Sequence, residues 1–251
     1  MQDNQMKTKL KTSITLTTSV LAMLCFTVLP LVQAQSTNLV QSVLVINVHG
    51  QSYDGDGYNL FQTVSNAGAA ATFVNLNANG MVARLLQTNQ YQQVWIFDLS
   101  HWSDDYPADW EAVASWYQGC SNLPIICDAR IISSFWDGRW VDEGQRLAEN
   151  YYVNLAKAGG GLMLGTDHND YHAGINTINA LIGLNPFSGF FSLNTIPVDA
   201  ASPLMTSPND LTAGLFDDST PGQVPYGLQP NGRVLYPVAW QGGNQFTPGI
   251  S

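Results

Sequence analysis

Five short apolar runs without polar alternation constrain this chain more than any other feature. They are Val43–Val48, Thr72–Leu76, Gln93–Leu99, Pro124–Cys127 and Gly161–Leu164. A strand wet on one face alternates apolar and polar residues, so a run that stays apolar is buried on both faces. Helical patterns separate the runs. Tyr58–Ala67 sets Leu60, Phe61 and Val64 on one face, and a short helix follows around Met81–Leu86. Asp109–Tyr117, led in by Pro107, aligns Trp110, Val113, Ala114 and Tyr117, and longer patterns cover Val141–Lys157 and Ile175–Leu184. Regular alternation of this kind predicts an α/β domain of flavodoxin-like, doubly wound type, with a mostly parallel sheet and helices on both faces. After Asn185 the rhythm breaks, and Phe190–Leu193 and Val234–Trp240 read as further strands between Pro- and Asn-rich loops. The domain is expected over 35–240, with 241–251 as a flexible tail.

The first 34 residues read differently. Lys7, Lys9 and Lys11 precede an apolar stretch from Ile14 to Val32, and Val32-Gln33-Ala34 offers small residues where a signal peptidase cuts. That pattern predicts a secretory signal over 1–34 and a secreted or periplasmic protein. Interspersed threonines and Pro30 argue against an uncleaved anchor, and Met23-Leu24 before Cys25 argues against lipoprotein processing. Removing three lysines and one aspartate leaves six basic and eighteen acidic residues, a net −12. Such a surface repels phosphate backbones and anionic lipid, so neither nucleic acid nor, after signal cleavage, membrane is an expected partner. Cys120 and Cys127 then remain, to be read as one small-loop disulfide or as two free thiols.

All four histidines fall just past predicted strand ends: His49 after the first strand, His101 after the third, His168 and His172 after the fifth. Carboxylates collect at the same positions, among them Asp98, Asp128, Asp167 and Asp170, with Arg130 beside Asp128. Open parallel sheets bind ligands outside the carboxyl ends of their strands. Polar residues also gather wherever loops begin, but loop polarity alone leaves the absence of histidine elsewhere unaccounted for.

Three chemistries suit such a rim. Imidazoles and carboxylates can hold a divalent metal, with His168, Asp170 and His172 as the nearest group in sequence. A histidine oriented by an aspartate can act as general base, which makes His49, Asp98, His101, Asp167 and His168 the catalytic candidates. Aromatic residues beside carboxylates suit a small molecule or carbohydrate, and Tyr53, Trp102, Asp128, Arg130, Trp136 and Tyr171 form that set; aromatics also seal cores beneath loops. No G-x-S-x-G occurs, and Gly159-Gly160-Gly161 precedes its strand, so these glycines end a helix and form no phosphate cradle. Asp54-Gly55-Asp56-Gly57 reads as a turn capping the next helix.

The segment GGGLMLGTDHNDYHAGINTINALIGLNPF, with Val43–Gly50 and the Asp98 strand end, resembles the class I glutamine amidotransferase-like superfamily, nearest its ThuA-like branch. The resemblance implies a flavodoxin-type sheet with a functional elbow after the fifth strand. True amidotransferases carry a cysteine at that elbow and a histidine and glutamate downstream. Here the elbow reads Gly165-Thr166-Asp167-His168, and no histidine follows His172. The resemblance therefore implies a domain without glutaminase activity that binds a small molecule or carbohydrate. The alternatives are a metal-assisted hydrolase or isomerase, or a non-catalytic interaction module of the cell envelope.

Overall fold

The computed structural model describes residues 41–48, 56–98, 106–120, 122–128, 141–166, 169–188, 195–197, 199–212, 226–241 and 244–250. All lie in one compact unit, Asn38–Ser251. The segment read as a secretory signal lies outside them. Among the described residues, no helix is long and apolar enough to cross a membrane.

Strands β1 (Ser42–Val48), β2 (Ala70–Leu76), β3 (Gln93–Asp98), β4 (Ile125–Cys127) and β5 (Gly161–Thr166) form an all-parallel sheet in the order 2-1-3-5-4. Helices α1 (Asp56–Asn66), α2 (Met81–Thr88), α3 (Pro107–Gly119), α4 (Val141–Lys157) and α5 (Ala173–Ile182) connect and cover it. The apolar runs thus form the parallel strands of a flavodoxin-like α/β fold. In flavodoxin itself the order is 2-1-3-4-5, so the outer two strands are exchanged here.

Crossover handedness explains which helix covers which face. Steps from β1 to β2 and from β4 to β5 run one way across the sheet; steps from β2 to β3 and from β3 to β4 run the other way. Parallel crossovers are right-handed almost without exception, so opposite steps must put their helices on opposite faces. They do. Helices α2, α3 and α5 pack on the front face, where Leu44, Ile46, Val94, Ile96, Leu162 and Leu164 meet Trp110, Val113 and Ile178. On the back, α1 and α4 join a short α6 (Pro203–Thr206), and Val43, Val45, Trp95, Phe97 and Met163 meet Leu60, Tyr151 and Leu204. Alternate residues of each strand serve opposite cores, which is why the runs show no apolar–polar alternation.

Local signals set the helix ends. Gly159 and Gly160 have positive φ, and the Gly160 and Gly159 amides donate to the Leu155 and Ala156 carbonyls at 2.8 and 3.1 Å, closing α4 with a Schellman turn. The three-glycine run is therefore a helix stop, as its sequence position implied. Buried Asp109 receives the amides of Gly80, Val82 and Ala83 at 2.6, 2.7 and 2.9 Å. An α3 carboxylate thereby caps the N-terminus of neighbouring α2.

Beyond β4 the sheet turns antiparallel through β9 (Asn244–Ile250), β8 (Val234–Gln241) and β6 (Thr195–Pro197), and β7 (Gly227–Leu228) pairs the start of β8. This corrects the expectation of a flexible tail over 241–251. Ile126 pairs with Ile250 and Cys127 with Gly249, so β9 lies against β4 and joins it to β8. The strand expected over Phe190–Leu193 lies outside the described residues. Cys120 and Cys127 are both free thiols.

Candidate functional site

Strand register decides what the carboxyl edge of the sheet presents. Val48 of β1 stands beside Asp98 of β3, and Asp98 beside Thr166 of β5. Asp128, the residue after β4, donates its amide to the Leu164 carbonyl of β5 at 2.9 Å. Val48, Asp98, Thr166 and Asp128 thus mark the ends of four adjacent strands along one edge. Among these four strands, neighbouring chains leave that edge toward opposite faces twice: between β1 and β3, and between β5 and β4. Such switch points are the usual ligand-binding crevices of open parallel sheets.

Each switch point carries a buried carboxylate. Asp98, fully buried, shares the front face with Val94 and Ile96. Its Oδ2 lies against the backbone of Gly174 in the first turn of α5, and a Cβ at Gly174 would collide with it while standing 3.2 Å from Trp110 Cζ2. The missing side chain is what lets strand and helix approach. A carboxylate at the start of a helix is favoured by the exposed amides and the helix dipole, typically by about 0.3–1 kcal/mol at exposed sites and up to ~2 when partly buried.

Asp128, also fully buried, belongs to the back face. The Tyr151 hydroxyl of α4 donates to its Oδ2 at 2.6 Å. At the end of β1 on that same face, buried Asn47 donates from Nδ2 to Asn75 Oδ1 at 2.8 Å. A Cβ at Gly57, in the first turn of α1, would lie 2.5 Å from Asn47 Oδ1. Two strand-end polar side chains therefore sit beneath two helix starts, each with a glycine where they meet.

The two aspartates face away from each other across the sheet, so they are no carboxylate pair sharing one proton. The segment after β5 divides the same way. Thr166 Oγ1 donates to the Tyr171 carbonyl at 2.5 Å, tying the strand to the 3-10 turn Asn169–His172 that leads into α5. Half-buried Tyr171 packs on the back-face cluster. Buried His172 stands edge-on to Phe187, 6.3 Å between ring centroids, against the front-face cluster.

Of the remaining candidates, His49, Tyr53, His101, Trp102, Arg130, Trp136, Asp167 and His168 lie outside the described residues, and so does the side chain of Asp170. Among the described residues, no group of three or more His, Cys, Asp or Glu side chains is arranged to hold a metal ion. Cys127, buried at the end of β4, has its thiol pushed well above the ordinary 9.0 by desolvation and, secondarily, by Asp128. It stays protonated and is no nucleophile at neutral pH.

Sequence reasoning missed Tyr151 and Gly174. Nothing in the periodicity of α4 singles out one hydroxyl. Gly174 stands just ahead of the helical pattern read over Ile175–Leu184, so it passed as a loop glycine; the observed helix begins at Ala173 and takes it in. Compared with known protein families, with characterised proteins and with solved structures, the chain shows no match.

Proposed function

We propose that this is an exported, amidotransferase-like α/β domain without glutaminase activity, which binds a small molecule of carbohydrate type at the carboxyl edge of its parallel sheet. One observation supports the reading above all: buried carboxylates stand at the ends of β3 and β4, beside the β1/β3 and β5/β4 switch points. Burying a carboxylate is unfavourable unless hydrogen bonds or helix amides offset the lost hydration. Asp128 is held by Tyr151 and Asp98 lies at the start of α5, so both oxygens' positions are fixed by the fold. Neither carboxylate is exposed, so each acts by position: it fixes the strand end whose backbone and neighbouring side chains meet the sugar. Half-buried Tyr171 adds an aromatic ring at the same edge. Connectivity supports the reading further: His49 and Asp167 are each one peptide bond beyond a rim residue, Val48 and Thr166.

A test is titration calorimetry against a panel of mono- and oligosaccharides, repeated with Asp98→Asn and Asp128→Asn. The expected result is binding that weakens about tenfold or more in at least one variant, as the strand end that the carboxylate fixes shifts. Binding to no sugar, or binding indifferent to both substitutions, overturns the proposal. Stoichiometric metal in the purified protein, lost on replacing His168 and His172, would instead favour a metal-assisted hydrolase or isomerase.

A further inference from the structure

We infer that the outer edge of β2 is a self-association surface, through which two copies of this chain join their sheets about a two-fold axis. Among the described residues, β1 is the sole strand partner of β2, so the other edge of a seven-residue strand presents unpaired backbone donors and acceptors. Proteins that remain monomeric blunt such edges with lysine, proline, a bulge or a very short strand. Ala70–Leu76 has none of these: its sequence is AATFVNL, and its register with β1 runs unbroken.

The flanks of this edge are apolar on both faces. On the back, Tyr58, Phe61 and Phe73 form a ring cluster with centroids 5.5–5.7 Å apart, and Tyr58 is 44% exposed. On the front, a groove of about 360 Å³ runs beside Val74 between Met81, Arg84 and Leu85.

Charge selects the occupant. The chain carries −10 overall, so two copies repel wherever their acidic surfaces meet. Between Asp56 and Asp98, however, the only charged residue is Arg84. That stretch supplies α1, β2 and α2, which makes this edge a place where two copies meet with little repulsion. A strand edge is also its own complement when paired antiparallel. Centring the two-fold on Phe73 pairs all seven residues, Ala70 opposite Leu76 of the second copy, and sets the two Phe73 rings side by side on the back face. Any slip leaves residues unpaired, and a slip of one would exchange the faces.

The test is sedimentation velocity of the purified protein from about 1 to 100 µM, with amide hydrogen exchange at both extremes. The expected result is a concentration-dependent dimer whose added protection falls on Ala70–Leu76. Phe73→Lys, which places like charges opposite each other, should raise the dimer dissociation constant at least about tenfold. Leu228→Lys, on the exposed β7 residue, should leave it unchanged. A monomer throughout the range overturns the inference, and so does a dimer whose protection falls elsewhere or which Phe73→Lys does not weaken. If Phe73→Lys fails to fold, the exchange pattern of the unaltered protein decides by itself.

Discussion

Gly174→Ala reverses the usual sign of a helix substitution. Alanine in place of a helix-interior glycine ordinarily stabilises by about 0.5–1 kcal/mol. At Gly174 the added methyl falls on Asp98 Oδ2 and within 3.2 Å of Trp110 Cζ2, both in fully buried side chains. Neither is the free end of a surface chain, so α5 must lift or the carboxylate must leave its place. Overpacking of this kind costs typically about 1–3 kcal/mol. Set against the propensity gain, the net is a loss of roughly 1–2 kcal/mol. For a domain of this size each kcal/mol shifts Tm by about 2–4 °C, so Tm should fall by roughly 2–8 °C. Gly119→Ala is the internal control: it too is helical, an added Cβ there meets nothing within 4 Å, and it should stabilise. Urea unfolding of Gly174→Ala, Asp98→Ala and the double variant should show coupling of about 1–3 kcal/mol, because removing the carboxylate removes the collision. If Gly174→Ala instead raises Tm as Gly119→Ala does, Asp98 does not lie against α5.

Four further outcomes follow from the same geometry. Asp109→Ala strips the cap from three α2 amides and should destabilise by about 2–4 kcal/mol in urea unfolding, more than an ordinary N-cap loss. Tyr151→Phe removes the hydroxyl that donates to buried Asp128 and should lose about 1.5–3 kcal/mol, with m unchanged. The Cys127 thiol has a folded pKa raised above its ordinary 9.0. The unfolded state therefore releases that proton first, and stability should be undiminished below pH 9 and fall as pH rises beyond it. A thiol-specific reagent should modify half-buried Cys120 in the native protein while Cys127 reacts only on unfolding.

How much of this was legible in the sequence depends on whether the signal was local. Apolar runs, Pro107 at the start of α3 and the glycines after α4 act within a few residues, and those elements stand where the pattern put them. Strand order is set by pairing between distant segments, so the exchange of β4 and β5 had no local mark. Strand β9 was misread because Asn244, Gln245, Pro248 and Gly249 resemble a loop; pairing with β4 and β8 overrides that composition. Asp98 and Asp128 were both placed at strand ends, as found, but their opposite directions depend on which residues of each strand enter which core. The loop residues that made the rim conspicuous, His49, His101 and His168 among them, lie outside the described residues.

The central claim concerns one edge of the sheet, and amide chemical-shift mapping tests it most directly. With a sugar that binds in titration, the account predicts perturbations at Val48, Asp98, Asp128, Thr166 and Tyr171, with Ser42, Gln93 and Gly161 at the opposite edge unmoved. Perturbations confined to that opposite edge, or to the exposed face of β7 and β8, would contradict it.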